Sequence, residues 1–409
     1  MSNDSKDQPL PLEGIRVLAI EQMQAIPMAT QLLTHLGAEV VKVEHPVHGE
    51  SGRTSAPQLP DSDGNLVGST YIRNNLNKKS VGINLKHPKA VELITGLVPK
   101  FDVVAENFKA GTMERLGLGY DVLAAANPAL VYVSVSGFGH SPGPYAEWPA
   151  YSVVAEAMGG LNTFRPEPGR YPNIGVAGAV GDNTSGLYAV IGVLSALRHA
   201  ERSGVGQKVD IAMFDAMVAM MDTVPFNPSV GVHDNSVRAW PGISTFFQAN
   251  DGLFVAQVGR EHQFERFAEA VGHPEWLSDE RFSTRQGWAS NLDDVIRPAV
   301  ESWAANMSKL DASKALAAAG VVAGPCFDAD DIVADEHVAN HNMILSVPRP
   351  DTGEPIHFVG NPVKLSRTAE KAPVRWPELG QHTKEILSTE LGLSDDELSA
   401  LKADGAIAG

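Results

Sequence analysis

The feature that most constrains the fold is a regular alternation of β-branched runs and helix-length segments over residues 15–135. Runs rich in valine and isoleucine indicate strands, and the longer apolar segments between them indicate helices. Strands joined by helices in this order form a parallel sheet covered on both faces. The pattern therefore predicts an α/β fold with strands at residues 15–20, 39–44, 80–84, 102–105 and 129–135 and helices at residues 27–36, 88–99 and 120–126.

The rest of the chain changes pattern twice. Small and apolar residues at 179–200 and a Met- and Ala-rich run at 209–222 each predict a helix, whereas residues 225–241 lose periodicity and are interpreted as a linker. Residues 244–257 predict a hairpin, because Asp251-Gly252 between apolar runs favours a tight turn. Helices are expected at residues 261–271, 291–303 and 311–319, followed by a tail of short strands and prolines.

Composition excludes several classes of protein. With 409 residues, 43% hydrophobic and 20% charged, the chain is long enough for two domains and too apolar to be disordered. A net charge of -17 disfavours nucleic acid and membrane partners, so a polyanionic ligand needs a local basic site. Cys326 is the one cysteine, residues 1–8 are polar, and no apolar run reaches membrane-spanning length. We therefore expect a cytoplasmic protein without disulfides or a signal peptide.

One hydrolase motif matches only in part. Gly139, Ser141 and Gly143 have the G-x-S-x-G spacing of a nucleophile elbow. That motif needs the backbone N–H of the residue after the serine for its oxyanion hole, and Pro142 has none. A hydrolase is therefore disfavoured.

Dinucleotide and metal sites are disfavoured as well. Residues 21–25, directly after the first strand, contain no glycine for close approach to a pyrophosphate, and Gly175, Gly178 and Gly181 have a different spacing from the dinucleotide motif. His337 and His341 stand four residues apart without a third ligand nearby. A surface helix is favoured there, and no metal is expected.

The sign of the charge reverses in residues 71–120. Eight Lys or Arg accompany four acidic residues in this segment of an otherwise acidic chain. A concentrated basic patch on the loops of a parallel sheet suits a phosphorylated cofactor. Solvated lysines on helix faces give the same count, so both interpretations stay open.

Asp182 stands where a glycine-rich segment turns into the long apolar helix. Aspartate is among the preferred N-cap residues and suits the positive end of a helix. A carboxylate beside small residues is also suited to covalent catalysis, because a bulky acyl group can reach it. Spacing alone favours the cap.

A series of short motifs resembles the class III CoA-transferases, the CaiB/BaiF family, in its usual order across nearly the whole chain. The motifs are LEGIRV from Leu12, GAEVVKVE from Gly37, NKKS from Asn77, AENF from Ala105, RLG from Arg115, SGFG from Ser136, GD at Gly181, GVGQKV from Gly204, DA at Asp215, DG at Asp251, the segment 320–325 and LGQHT from Leu379.

The resemblance implies a Rossmann-like large domain built from both chain ends and a smaller α+β domain inserted between them. The corresponding limits are residues 1–222 for the first part of the large domain, 223–328 for the linker and small domain, and 329–409 for the return segment. It also implies an interlocked homodimer. CoA enters as a thioester substrate rather than as a permanently bound cofactor, and the partners are an acyl-CoA and a free carboxylic acid.

The resemblance gives Asp182 the role of nucleophile, which forms an aspartyl mixed anhydride and then an aspartyl-CoA thioester. Matching positions place Gln24 and Ala25 along the CoA site and Lys78 and Lys79 near the adenine and phosphates. The remaining CoA-binding candidates are Asn107, Phe108 and Arg115 along the nucleotide and pantetheine, with Arg53 as a further phosphate ligand.

The chain departs from the family pattern around the substrate pocket, for which Tyr151, Glu156 and Gly242 are candidates. Tyr151 replaces the histidine of the racemase branch and is a poor proton shuttle at neutral pH. Many transferases carry Asp and Gln where this chain has Ser152 and Glu156. Residues 225–242 contain two glycines, so the existence of a glycine-run lid stays open.

The main hypothesis is a CoA-transferase, and two alternatives stay open. One is an acyl-CoA α-epimerase that uses Asp182 and an unidentified base. The other is a non-catalytic CoA-binding subunit of a heteromeric transferase. The donor and acceptor acids are not specified by the sequence, and possible partners of a substrate carboxylate, each also interpretable as a surface residue, are His140, Arg165, Arg170 and Arg238.

Overall fold

The computed structural model describes residues 8–163, 178–233 and 241–408. Contacts divide the chain into two compact units, one formed by Met1–Ser236 with Asn342–Gly409 and the other by Val237–His341. The first unit thus contains residues from both halves of the chain. The domain limits expected from the sequence, at 222/223 and 328/329, lie upstream of these unit limits.

Strands account for a smaller part of the described residues than helices do. The strands are β1 (Arg16–Ile20), β2 (Glu39–Glu44), β3 (Gln58–Pro60), β4 (Leu66–Gly68), β5 (Lys79–Gly82), β6 (Val103–Glu106), β7 (Val131–Ser136), β8 (Lys208–Ala212), β9 (Ile243–Ala249), β10 (Gly252–Val258), β11 (Val322–Pro325), β12 (Ile344–Pro348) and β13 (Pro355–Val359). Short 3-10 helices span Ser51–Thr54 and Asn227–Val230.

The helices alternate with the strands in the first half of the chain. They are α1 (Ala25–His35), α2 (Ser69–Asn74), α3 (Ala90–Leu97), α4 (Thr112–Arg115), α5 (Tyr120–Ala126), α6 (Ser152–Met158), α7 (Val180–Ser203), α8 (Met213–Met220), α9 (Thr223–Phe226), α10 (Glu261–Ala270), α11 (Arg285–Ser290), α12 (Arg297–Ala304), α13 (Lys309–Ala318), α14 (Ala329–Ala334), α15 (Glu336–Asn340), α16 (Thr383–Leu391) and α17 (Asp395–Ala403).

A six-stranded sheet organises the first unit, in the order β5-β2-β1-β6-β7-β8. Every adjacent pair in it is parallel. The chain runs outward from β1 to one edge and then restarts beside β1 with β6, so the order reverses between these two strands. This is the strand order of dinucleotide-binding Rossmann folds, and it confirms the predicted α/β parallel sheet.

Strand β1 shows why both faces of the sheet are covered. Val17, Leu18, Ala19 and Ile20 are all buried. Because successive side chains point to opposite faces, Leu18 and Ile20 belong to one apolar cluster and Val17 and Ala19 to another. The first cluster also contains residues of α3, α16 and α17, and the second contains residues of α1, α7 and α8.

Two predictions in the middle of the chain are wrong. Residues 209–222 do not form one helix: Val209 and Ile211 pair with Val133 and Val135 of β7 as strand β8, and the helix begins only at Met213. β-branched residues beside an open sheet edge favour the strand. Residues 225–230, at the start of the predicted linker at 225–241, are helical, with Pro228 in the first turn of a 3-10 helix, and residues 234–240 lie outside the described residues.

The second unit has its own antiparallel sheet, β11-β10-β9, and an aromatic core. The predicted hairpin is confirmed, with Ala249 paired to Gly252 across the turn. The predicted helix at 291–303 is interrupted by a π-helical turn, Leu292–Ile296, directly before α12. Pro298 has no N–H to continue the regular hydrogen-bond pattern. In the described parts of the chain, no helix has both the length and the apolar character needed to cross a membrane.

Candidate active site

A cavity of about 690 Å³ opens in the first unit beyond the carboxyl ends of β1, β6 and β7. The segments that follow these three strands each contribute to its lining, at residues 22–25, 107–110 and 137–139. The strand order reverses between β1 and β6, and ligands of open α/β sheets bind at such a reversal. The topology of the sheet therefore positions the cavity.

Asp182 lines this cavity from the first turn of α7. The N-cap of that helix is Ala179, in a left-handed conformation with φ of 43° and no side-chain cap. The interpretation of Asp182 as the N-cap is therefore wrong. Its side chain is left facing the cavity because two other side chains serve the helix end.

Those two side chains come from α6. Glu156 Oε1 accepts a hydrogen bond from the Gly181 N–H at 3.1 Å, and Ser152 Oγ accepts one from the Asp182 N–H at 3.1 Å. Ser152 also donates to Glu156 Oε1 at 2.6 Å. The first N–H groups of a helix lack intrahelical partners, and a carboxylate suits its positive end. Ser152 and Glu156 thus fix the backbone of the residue that faces the cavity.

The environment of Asp182 favours its protonated form. Burial raises the pKa of the Asp182 carboxyl to about 6, with a further upward contribution from Glu156 and an opposing one from Arg73. At neutral pH the group is still mostly ionised. A carboxylate of this kind is more basic than an ordinary aspartate, which strengthens it as a nucleophile or base.

A hydrogen-bonded group connects the opposite side of the site to α7. Arg73 Nη2 donates to Gln24 Oε1 at 2.6 Å, and Asn74 Nδ2 donates to the same oxygen at 3.3 Å. Gln24 Nε2 in turn donates to Asn183 Oδ1 at 2.9 Å. The Gln24 amide is therefore held in one orientation beside the residue that follows Asp182.

The loop between β1 and α1 is also fixed from two directions. Met23 has a φ of 59°, a conformation that costs energy for a non-glycine residue. Its N–H donates to Glu50 Oε2 at 2.8 Å. Asn107, after β6, accepts from the Gln22 N–H at 3.0 Å and donates to the Gln22 carbonyl at 2.8 Å. Asn107 thereby ties together the two loops at the strand-order reversal.

Comparison with known proteins identifies the family. The model of CoA-transferase family III matches residues 12–383. This chain belongs to CoA-transferase family III.

Relatives of the transferase cover almost its whole length. It is 32% identical to the succinyl-CoA–L-malate CoA-transferase beta subunit of Chloroflexus aurantiacus, over 99% of this chain and 100% of that protein. It is 34% identical to the formyl-CoA:oxalate CoA-transferase of Streptomyces coelicolor, over 97% of this chain and 99% of that protein. The crystal structure of a CaiB/BaiF family protein from Brucella suis matches with a TM-score of 0.83 at 32% identity, covering 94% of this chain and all of the other.

The structure brings six of the predicted site residues of the transferase together. They all line the cavity, although Tyr151 is largely exposed to solvent at 81%. The six are Gln24, Ala25, Asn107, Phe108, Tyr151 and Asp182. Glu156 is buried and does not line the cavity; it accepts hydrogen bonds from the Ser152 hydroxyl and from the Gly181 N–H, next to Asp182.

Two predicted phosphate ligands are held elsewhere. Lys78 is buried, and its Nζ lies 2.8 Å from Glu21 Oε1 while also donating to Thr30 Oγ1 and the Pro27 carbonyl. Arg53 is buried too, with Nε 2.7 Å and Nη2 2.8 Å from the two oxygens of Glu44. Neither lines the cavity. Both cations are already neutralised by carboxylates.

The other predicted positions are spread over the molecule. Lys79 pairs with Glu39 and Glu385, and Arg115 donates to Thr112 in its own helix. Gly242 belongs to the second unit. His140 Nδ1 lies 3.0 Å from Asp210 Oδ1, and Gly175, Arg165, Arg170 and Arg238 lie outside the described residues.

Arg73 and Asn183 contribute to the site although the sequence did not single them out. Arg73 was one of eight cations in the basic segment, with nothing in its spacing to distinguish it. Its position i+3 from Thr70 on α2 brings both side chains into the cavity lining. For Asn183 the sequence did contain a signal, because this residue directly follows Asp182.

Proposed function

We propose that this CoA-transferase moves CoA from an acyl-CoA to a free carboxylic acid with Asp182 as the nucleophile. A carboxylate oxygen of Asp182 attacks the donor thioester carbonyl, the C–S bond breaks, and a mixed anhydride and a CoA thiolate result. The thiolate then attacks the Asp182 carbonyl carbon, which releases the donor acid and leaves an aspartyl-CoA thioester.

The second half of the reaction mirrors the first. The acceptor carboxylate attacks the aspartyl thioester, and the thiolate leaves again as a second anhydride forms. The thiolate attacks the acceptor acyl carbon, which yields the new acyl-CoA and restores the Asp182 carboxylate. Each step exchanges groups of similar acyl reactivity, and CoA held in the site keeps its thiolate at high effective concentration.

The observation that carries the proposal is the position of the Asp182 carboxylate in the cavity and the absence of an ion-pair partner for it among the described residues. Its carboxylate lines a cavity at the strand-order reversal, and its backbone is fixed by Ser152 and Glu156 rather than by its own side chain. No salt bridge engages it within the described residues. Names of relatives support the same chemistry: one acts on succinyl-CoA and L-malate, another on formyl-CoA and oxalate.

We place CoA along the cavity wall formed by Gln24, Ala25, Asn107 and Phe108. These residues follow β1 and β6, and the lining offers both amide groups and an aromatic face. CoA binds there as a substrate that leaves at the end of the cycle. Arg53 and Lys78 take no part in this assignment because their charges are used inside the protein.

We also propose a homodimer. Helix α7 presents Leu187 and Ile191, four residues apart, with 51% and 58% of their surface exposed. An apolar pair on one helix face supports burial against another chain. A second candidate is a heteromeric transferase, since the Chloroflexus relative is named as a beta subunit. Light scattering and activity of the purified chain alone distinguish the two, because a heteromer shows no transfer without its partner.

Mass spectrometry of quenched protein tests the nucleophile. Wild-type protein is incubated in heavy water with acyl-CoA donors and a pool of carboxylic acids, and peptides are mapped for CoA or acyl adducts. We expect an adduct on the Asp182 peptide, no such adduct in Asp182→Asn, and transfer reduced about a thousandfold or more in that variant. Asp222→Asn, on an exposed residue, is the matched control.

Two outcomes would overturn the proposal. Full transfer by Asp182→Asn would exclude Asp182 as the nucleophile. Deuterium at the acyl α-carbon without any adduct or acceptor dependence would instead establish the epimerase alternative, in which Asp182 moves a proton.

A further inference from the structure

The described lining of the cavity contains one cation that forms no salt bridge with a described carboxylate. Arg73 and Lys109 are the Lys or Arg side chains in its described lining. Lys109 Nζ lies 3.1 Å from Glu147 Oε2. Arg73 is exposed to the cavity, forms no salt bridge with a described residue, and donates from one Nη to Gln24. A guanidinium has five N–H donors in a planar fork, so most of its capacity faces the cavity.

The absence of a carboxylate partner among the described residues is unusual for an arginine of this acidic chain. The cations around the same end of the sheet, Lys42, Arg53 and Lys78, all have carboxylate partners within 3.3 Å. With a net charge of -17, acidic partners are abundant. An unneutralised arginine in a cavity therefore indicates an anionic ligand.

The position of Arg73 indicates which part of the substrate carries the anion. Arg73 lowers the pKa of Asp182, so the two groups lie within electrostatic reach. It is also connected to Asn183 through Gln24. The reacting carbonyl must reach Asp182, whereas the pantetheine arm holds the diphosphate of CoA far from that carbonyl. Arg73 thus meets the acyl end of the substrate.

The residues beside Arg73 are compatible with a carboxylate ligand. Thr70, one turn before Arg73 on α2, lines the cavity as well. Ser51 and Thr54 from the adjacent 3-10 helix also line it, but their hydroxyl groups donate to Gln22 Oε1 and to the Ser51 carbonyl. The Thr70 hydroxyl beside the guanidinium can therefore add one hydrogen bond to a bound carboxylate.

We propose that Arg73 determines specificity by binding the second carboxylate of a dicarboxylic acid or of its half CoA thioester. The inference rests on the proposed function, because it takes the reacting carbonyl to be at Asp182. The same chemistry also fits the reacting carboxylate of any acceptor acid. Substrates matched in length with and without a second carboxylate separate these two sources.

Binding without turnover provides the first test. In the Asp182→Asn background, calorimetry compares succinyl-CoA with butyryl-CoA, which share the chain length and differ in the terminal carboxylate. We expect succinyl-CoA to bind about 10- to 100-fold more tightly, as for a charged hydrogen bond, and Arg73→Met to remove the difference. Arg73→Lys keeps the charge without the fork and is expected to restore part of it.

A matched control isolates the arginine. Lys109→Met removes the other lining cation and is expected to leave the ratio of the two affinities unchanged. Equal binding of both thioesters, or a ratio unaffected by Arg73→Met, would overturn the inference.

Steady-state kinetics with two acceptor acids provides the second test. It tests the role of Arg73 in specificity separately from the role of Asp182 as nucleophile. With succinate and butyrate as acceptors, Arg73→Met is expected to raise KM for succinate by about tenfold or more while butyrate changes little. An equal loss for both acceptors would assign Arg73 to the reacting carboxylate instead and refute its role in specificity. Failure of the proposed function appears elsewhere, as the lack of an Asp182 adduct.

Discussion

Two groups of charges lie at the same end of the same parallel sheet, and they differ in how completely they are neutralised. The buried ion cluster consists of Glu21, Lys42, Glu44, Arg53 and Lys78, in which each cation has a carboxylate partner. The cavity beyond β1 and β6 instead holds Asp182 and Arg73, neither in a salt bridge within the described residues.

The electrostatics of the two regions follow this difference. Burial alone would raise the pKa of Glu21, but Lys78 and Lys42 outweigh it and hold that pKa below its ordinary value. Burial also raises the pKa of Asp182, and there Glu156 adds to the effect. A charged side chain that is neutralised by an ion-pair partner stabilises the fold. A charged side chain without such a partner is destabilised in the free protein and can interact favourably with a substrate instead.

The largest effect is expected from breaking the buried ion cluster. Lys78→Met leaves Glu21 buried with only Lys42, at 3.3 Å, to compensate it. Removing one partner of a buried pair costs about 3–5 kcal/mol, so urea unfolding should show a loss of that order. The double variant Glu21→Gln with Lys78→Met should recover part of it, and Lys86→Met, on an exposed lysine of the same segment, should cost little.

This variant also tests the role predicted from sequence. If Lys78 bound a phosphate of CoA, its loss would raise KM for acyl-CoA while the free energy of unfolding hardly changed. That pattern would contradict the distinction between the two regions.

The next largest effect on the free energy of unfolding is expected from substitution of Asp182, which should stabilise the protein rather than destabilise it. Its pKa is about 6 in the folded protein and 3.8 without the fold. The folded state therefore binds the proton more tightly, and this contribution to stability is complete below pH 3.8 and is lost as pH rises through about 6. Asp182→Asn should be more stable than wild type by about 1–3 kcal/mol at pH 8, with a smaller difference at pH 5.

Urea unfolding at both pH values measures this difference. A variant less stable than wild type at pH 8 would show that the folded protein stabilises the ionised Asp182 carboxylate, as it does the carboxylates of the buried ion cluster. The cavity and the buried ion cluster would then not differ in this respect.

The same distinction explains which parts of the structure could be predicted. Hydrophobic periodicity was enough to predict the limits of the strand Glu39–Glu44 and the helix Tyr120–Ala126, which agree with the structure. This works because the local spacing of apolar residues reflects which face of a strand or helix is buried. Strand β8 was missed because its pairing with β7 depends on residues more than 70 positions earlier. The local hydrophobic pattern does not show which distant strand a segment pairs with.

The candidate site was predictable only in part, for a related reason. Gln24, Ala25, Asn107 and Phe108 follow strands that the pattern located, so their place at one end of the sheet followed from topology. Whether a cation is free depends on which carboxylate lies beside it. The sequence motif singled out Lys78 rather than Arg73 as an anion ligand, but the fold pairs Lys78 with Glu21 and leaves Arg73 facing the cavity.

A moderate effect is expected from Glu156, which supplies negative charge beside Asp182. Glu156→Gln keeps an oxygen that can accept from the Gly181 N–H but removes the charge. The acidic limb of kcat/KM reports the free enzyme, and we expect it near pH 6 for wild type and lower by up to about one unit in the variant. Activity at pH 5 should therefore rise relative to that at pH 8.

Glu156→Ala provides the comparison, since it removes the hydrogen bond as well as the charge. If the limb stays at the same pH in Glu156→Gln and only Glu156→Ala loses activity, Glu156 acts only by capping α7. The high pKa of Asp182 would then come from burial alone.

The smallest effect is expected at Lys79, which lies between the two extremes. Its Nζ is 2.9 Å from Glu385 and 3.4 Å from Glu39, but its side chain keeps 30% of its exposure. Exposed pairs contribute about 0–1 kcal/mol, so Lys79→Met should change the free energy of unfolding by less than that. Salt-dependent KM measurements for acyl-CoA complete the test. An unchanged KM places Lys79 with the neutralised cations, whereas a rise of about tenfold, weakened by added salt, shows that partial exposure suffices to bind a CoA phosphate.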